Sequence, residues 1–305
     1  MNDLITDIKN LELETIKNLR NSKSTNTLRA YQSDYNDFSL FCSKNGFQPM
    51  PTQPKILALY ITHLSSYSKY STLKRRLASI SILHKTKGHY IDTKHPIIME
   101  NLMGIKRTNG SNQKGKKPLL INELKQLINA IHQSNEKDKR KTRDKALVLI
   151  GFSGGFRRSE LVDIEYEDLE FVSEGVKIFV KRSKTDQSGE GMTKAIPYFD
   201  NEKFCPVIAL KNWIEIFDLK KGKIFSISDK SVALIIKKYA SYAGLDSHRY
   251  AGHSLRSGFA TSTAESGAEE RNIMAMTGHK STEMVRRYIK EANLFKNNAL
   301  NKIKI

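Results

Sequence analysis

The sequence predicts a mainly α-helical chain with a small β-sheet, divided into an all-α N-terminal domain and a mixed α/β C-terminal domain. Three observations carry this. Apolar residues recur at three- and four-residue spacing through most of the 305 residues. A period of two appears in one region only, between Val176 and Phe199. A polar, glycine-containing basic stretch with no apolar period, Lys106 to Lys117, separates the purely helical part from the rest. The expected division is residues 1–105, a linker at 106–117, and a second domain at 118–305. The length suits about two domains, each large enough to bury a core.

Taken in order, Leu28, Tyr31, Tyr35, Phe38 and Phe41 mark a helix from Ser24 to Asn45, with Ser24 or Thr25 as cap and Gly46 just past its end. Pro49 to Pro54 is a stiff connector. Helices follow at Lys55 to Ser65 and Ser71 to Lys87, the second with Leu73, Leu77, Ile80 and Leu83 on one face and Lys74, Arg75 and Arg76 on the others. A shorter one covers His95 to Gly104. In the second domain, Asn122 is the expected cap of a helix through Leu124, Leu127, Ile128 and Ile131, and another covers Thr142 to Ser153. Val176, Ile178 and Val180 alternate with Lys177, Phe179 and Lys181 as a strand. Asp186 to Gly191 is a turn and Ala195 to Phe199 a second strand. Helices are then expected at Pro206–Phe217, Ser228–Ala243, Ser254–Ser266, Glu269–Thr277 and Ser281–Ala292. The tail spaces Leu294, Phe295, Leu300 and Ile303 like a small amphipathic helix.

Lys plus Arg number 51 against 32 Asp plus Glu, a net charge of +19. Residues 1–113 hold 16 of the basic and 8 of the acidic residues, so both domains are basic. Such a chain calls for a polyanion, with nucleic acid first and an anionic membrane second. The dispersal of charge over two folded domains, rather than on one amphipathic helix, disfavours the membrane. No apolar run approaches the roughly 18 to 20 residues that cross a bilayer. The acidic, mixed N-terminal residues show no signal peptide, so a cytoplasmic protein is expected. Two cysteines, Cys42 and Cys205, make no disulfide framework, and no Cys/His cluster suggests zinc. No cofactor and no metal are expected.

Four motifs can carry chemistry. Gly155-Phe-Arg-Arg-Ser-Glu-Leu161 lies where one helix ends and another begins. Arg157 there offers a planar fork to a phosphate, and Glu160, three residues on, can orient it. Arg182-Ser-Lys-Thr-Asp186 puts Lys184 at a hairpin tip, where a lysine can donate a proton to a leaving oxygen. Gly252-His-Ser-Leu-Arg256 places His253 and Arg256 on one helical face. Thr277 to Tyr288 places His279 in a glycine turn and Tyr288 nine residues later, preceded by Arg286 and Arg287. Each motif has a plain alternative: a surface salt bridge, a solvated lysine, a satisfied buried histidine, a packing tyrosine. Together, two arginines, a lysine, two histidines and a tyrosine suit metal-free phosphoryl transfer to a covalent nucleophile.

In this order and spacing the residues resemble the tyrosine recombinase (phage integrase) family, over most of the chain. Gly-Phe-Arg-x-Ser-Glu-Leu is similar to its first arginine box, His-Ser-Leu-Arg to its His-x-x-Arg box, and Gly-His-Lys-Ser with Tyr288 to its terminal box. The resemblance implies a core-binding domain followed by a catalytic domain of the tyrosine recombinase type. It implies that Arg157 and Arg256 bind the scissile phosphate and that Lys184 protonates the 5′-hydroxyl leaving group. His253 would assist proton transfer and phosphate binding, and His279 would hydrogen-bond a phosphate oxygen where some relatives have Trp. Tyr288 would form a 3′-phosphotyrosyl bond, with Glu160 supporting Arg157 from behind. The implied partner is double-stranded DNA with a specific target site. The implied assembly is a homotetramer on two duplexes, monomeric or weakly associated when free, with no membrane. Expected phosphate contacts are Lys74, Arg75, Arg76, Lys106, Arg107 and the linker lysines. The alternatives are a type IB topoisomerase and a non-catalytic DNA-binding protein.

Overall fold

The structure is a computed structural model that describes residues 8–111, 115–181, 190–292 and 299–303. Two compact units divide it, 1–114 and 115–305.

In the first unit, α1 (Ile8–Asn21) precedes α2 (Thr25–Lys44), α3 (Pro54–Ser65), α4 (Tyr70–Thr86) and α5 (Pro96–Asn109). Ser24 caps α2 by accepting from the Thr27 N–H at 3.3 Å, and Gly46 follows its end at a positive φ of 69°. Helix α3 starts one residue earlier than expected because Pro54 needs no N–H in a first turn. The apolar stripes meet as one core: Phe38 and Cys42 of α2, Leu57, Tyr60, Ile61 and Leu64 of α3, Leu73 and Ile80 of α4, Ile98 and Leu102 of α5. Helix α5 runs through Asn109, so Lys106 and Arg107 lie in its last turn and not in a linker. Ile105 packs against the core there, and the Asn109 side chain donates to the Ser65 carbonyl at 2.9 Å, which extends the helix.

The second unit begins with an extended segment in which Lys117 N–H donates to the Arg249 carbonyl and Leu119 N–H to that of Ser254. Then come α6 (Ile121–Gln133), α7 (Asp138–Ser153) and α8 (Arg158–Asp163). Asn122 does not cap α6. The helix starts one residue before it, and the Glu123 carboxylate reaches back to the Leu120 N–H at 2.9 Å. Three antiparallel strands follow, β1 (Leu169–Val172), β2 (Gly175–Val180) and β3 (Met192–Pro197), in the order β1-β2-β3. On β2 the residues Val176, Ile178 and Val180 face inward, as the alternation predicts. Strand β1 was not foreseen: its four residues do not alternate in burial. The hairpin tip with most of the expected turn at 186–191 lies outside the described residues.

Five helices complete the unit: α9 (Pro206–Ile216), α10 (Asp229–Tyr242), α11 (His253–Glu265), α12 (Glu270–Thr277) and α13 (Thr282–Ala292). All lie within a residue or so of their sequence-based bounds. The expected tail helix lies mostly outside the described residues, of which Ala299–Lys302 form a 3₁₀ turn. Buried α7 is the scaffold: its apolar C-terminal half, Ala146 to Phe152, packs against α9 on one side and α11 on another.

Helix α11 lies close against the entering segment because residue 258 is glycine. A Cβ there would stand 1.9 Å from the Leu119 carbonyl oxygen and 2.7 Å from its carbon, both backbone atoms that cannot rotate away. Gly258→Ala is therefore expected to lower stability by about 1–3 kcal/mol, as overpacking does. Urea unfolding checks this, and an unchanged midpoint would show that the segment yields freely.

Candidate active site

Helix α7 ends at Ser153, and the chain turns through Gly154 and Gly155 into α8. Gly155 has φ of 55°, and a side chain there would press on Phe259 and Thr277, so glycine is required for both reasons. The turn buries Phe156 and delivers Arg157 as the residue before α8. Glu160, almost fully buried, grips Arg157 twice. It accepts the backbone N–H at 3.0 Å through one oxygen and the guanidinium Nη1 at 2.6 Å through the other. One carboxylate thus caps the helix and orients the arginine.

Arg256 enters from the second turn of α11 and is only 1% exposed. Its Nη1 donates to the Gly155 carbonyl at 2.9 Å, which ties α11 to the Arg157 turn. Its Nε and Nη2 are buried without a hydrogen-bond partner. Burial and the neighbouring Arg157 push its pKa down to about 10, against the pull of Glu160 and Tyr288. A buried guanidinium with two donors unspent beside another arginine costs free energy that an arriving anion returns.

His253 opens α11 three residues before Arg256. Its ring reaches solvent, yet its pKa is lowered, first by the crowding protein and then by Arg256, Arg157 and Arg158. His279 follows the left-handed Gly278 that ends α12, whose N–H bonds the Met274 carbonyl at 2.7 Å. Burial, followed by Arg256, Arg157, His253 and Lys194, takes its pKa down to about 4, so it is neutral at physiological pH. Tyr288 lies on α13, 9% exposed, packed with Ala260, Ala264, Ile273 and Val285. Its ring centre is 6.2 Å from that of His279. Arg157, Glu160, His253, Arg256, His279 and Tyr288 therefore come together from three helices and two turns. Lys184 lies outside the described residues.

The flanking arginines are arranged otherwise than their spacing suggests. Arg286 pairs with Glu270 at 3.3 Å, while Arg287 is exposed. In the first unit, Arg75 pairs with buried Asp34, and Arg76 with Asp37 and the Tyr60 hydroxyl, which holds α4 to α2 and α3. Ser79 donates to the same Asp34 at 2.7 Å. Lys74, Lys106 and Arg107 are exposed.

One site residue escaped the sequence reading. Lys194 on β3 is 1% exposed, paired in register with Ile178. Its ammonium donates to the carbonyls of Gly154 and Met276, both at 2.6 Å, and stands 4.4 Å over the Phe156 ring. It thereby links the sheet to the turn before Arg157 and to the helix end before His279. Burial, aided by Arg256 and Arg157, takes its pKa down to about 7, with Glu160 opposing. The available signal was a lysine two residues from Ile196 on the inward face of an alternating strand.

Comparison with known proteins bears on the family and the fold. The phage integrase family profile matches residues 117–294. The chain is 42% identical to an integrase/recombinase XerD homolog of Selenomonas ruminantium, over 99% of this chain and 92% of that one. It is 27% identical to the tyrosine recombinase XerC of Syntrophus aciditrophicus (strain SB), over 91% of each chain. Among solved structures it resembles the XerH site-specific recombinase bound to a palindromic difH substrate in a post-cleavage complex. There the TM-score is 0.64 at 18% identity, covering 86% of this chain and 77% of that one. It also resembles a lambda integrase fragment, a dimer bound to a core site, with a TM-score of 0.59 at 19% identity over 96% and 98% of the two chains. The helical fold with its small three-stranded sheet is thus the expected one, and the chain belongs to the phage integrase family of tyrosine recombinases.

Proposed function

We propose that this chain is a site-specific DNA recombinase that cuts and rejoins strands by transferring a phosphoryl group to Tyr288 and back. The observation that carries this is Arg256, fully buried, with two donors unspent, beside Arg157 and the Tyr288 helix. Arg157 and Arg256 hold the two non-bridging oxygens and take up the charge of the pentacovalent transition state. The Tyr288 oxygen attacks phosphorus and gives up its proton. The bond to the 5′ oxygen breaks, and that oxygen takes a proton, in this reading from Lys184. A 5′-hydroxyl of the exchanged strand then attacks the phosphotyrosine in reverse. One phosphodiester is kept as one phosphotyrosyl ester, so no nucleotide triphosphate is consumed. His253 assists phosphate binding at the start of α11, and Lys194 keeps the two phosphate-facing turns in place.

The active assembly in this reading is a homotetramer on two duplexes. A lambda integrase tetramer bound to a Holliday junction, to which the chain is similar in fold, is consistent with it. Exposed Lys74, Lys106 and Arg107 supply sequence-independent phosphate contacts, with Arg75 and Arg76 mainly joining their own helices. The high positive charge makes binding strongly salt-dependent, with a log–log slope of roughly −0.9 per phosphate neutralised. Filter binding across a salt series is expected to show a steep negative slope; a flat one would mean the surface charge serves something else.

The function is tested with a plasmid carrying two copies of the short inverted repeat expected beside the coding region, located by footprinting. Rearranged products without added ATP are expected. Relaxation of any supercoiled plasmid without a preferred site would indicate a topoisomerase, and binding without strand breakage a regulatory protein.

A further inference from the structure

Thr277 is the last residue of α12, fully buried, two residues before His279. Its side-chain oxygen has two close partners: the Ile273 carbonyl at 2.6 Å and the His279 Nδ1 at 2.7 Å. A hydroxyl has one proton. Two oxygens 2.6 Å apart repel unless that proton lies between them, so it is committed to the Ile273 carbonyl, the usual back-bond of a helical threonine. The Nδ1 contact must then run the other way, with Nδ1–H donating to the threonine oxygen. A neutral imidazole holds one proton, so Nε2 of His279 carries a lone pair. This assignment rests on the hydrogen-bond network. The site keeps the imidazole neutral: burial and four nearby cationic or titratable groups, Arg256, Arg157, His253 and Lys194, all oppose its protonation.

We propose that Thr277 is a positioning residue that locks His279 in the Nδ1–H tautomer, so that His279 enters the reaction as a proton acceptor and not as a donor. This rests on the active-site reading above and sharpens it. A neutral His279 held this way has no N–H on Nε2 to offer a phosphate oxygen. It can first take a proton, and the step that releases one beside it is attack by Tyr288, whose ring centre is 6.2 Å away. The ledger closes. The phenol O–H bond breaks, an Nε2–H bond forms, and the tyrosine oxygen bonds to phosphorus as the 5′ oxygen leaves. The imidazolium then donates from both nitrogens, to Thr277 and to the phosphate. Bound phosphate supplies the negative charge that offsets the surrounding cations. Lys194 supports the lock by fixing the Met276 carbonyl, one residue ahead of Thr277. A Cβ at Gly155 would stand 3.2 Å from the Thr277 methyl, so glycine there leaves the threonine its place.

The test is long-range ¹H–¹⁵N correlation on the full chain labelled at histidine, together with single-turnover cleavage of a nicked target duplex. Wild type is expected to show His279 protonated at Nδ1 with an unprotonated Nε2. Thr277→Val removes the acceptor at nearly constant volume. It is expected to shift His279 toward the Nε2–H form and slow cleavage about tenfold or more, against the roughly 10²–10⁴-fold a positioned proton carrier contributes. Thr277→Ser restores both tautomer and rate. A wild-type His279 protonated at Nε2, or a valine variant with unchanged tautomer and rate, overturns the proposal. The wild-type spectrum decides even if the valine variant does not fold. If wild type forms no covalent adduct at all, the active-site reading fails instead, independently of the tautomer.

Discussion

Tyr288→Phe is expected to abolish strand cleavage while leaving DNA affinity within about twofold of wild type. The ring is packed among Ala260, Ala264, Ile273 and Val285, and phenylalanine fills the same space. The nucleophile is lost, and with it the covalent route. A duplex nicked next to the cleavage site traps the intermediate, because the short 5′ fragment diffuses away. Wild type should accumulate a protein–DNA adduct that survives denaturation, and the variant should show none. Gel shift of the same duplex measures binding. An adduct that persists in the variant would remove Tyr288 from the chemistry.

Arg256→Lys is expected to lower single-turnover cleavage by about 10²- to 10³-fold, the loss typical of one removed oxyanion donor. The native guanidinium holds the Gly155 carbonyl with Nη1 and keeps Nε and Nη2 in reserve. A lysine is a point charge on a flexible stem and cannot serve both directions with a rigid fork. The charge is retained, so the effect reports geometry and not net electrostatics. DNA affinity should change little, because many exposed cations share it. Cleavage at the wild-type rate would mean that the unspent donors face no phosphate.

The two results together separate what the sequence made legible from what it did not. Tyr288 and Arg256 stand in motifs whose spacing is local, and local spacing on a helix translates directly into a shared face. Most helix bounds were legible for the same reason, from the cap at Ser24 and from apolar periods, although α1 was not expected and α7 begins four residues before Thr142. Features decided by distant contacts were not. Arg75 and Arg76 look like an exposed basic run, but their partners Asp34 and Asp37 lie on another helix, more than thirty-five residues earlier. Arg286 precedes the nucleophile in sequence yet pairs with Glu270. Lys194 acts through the carbonyls of Gly154 and Met276, one from before it and one from far after, and backbone oxygens leave no mark in a sequence. The expected linker lost its first residues to α5 because Asn109 finds a carbonyl at Ser65, which no local propensity reveals.

In the proposed reaction Tyr288 carries the cleaved strand. The measurement that tests it most directly is to trap the adduct on a nicked target duplex, digest protein and DNA, and identify the modified peptide by mass spectrometry. A nucleotide attached through its 3′-phosphate to Tyr288 is expected, with a free 5′-hydroxyl on the released strand. Attachment to any other residue, or through a 5′-phosphate, would contradict it.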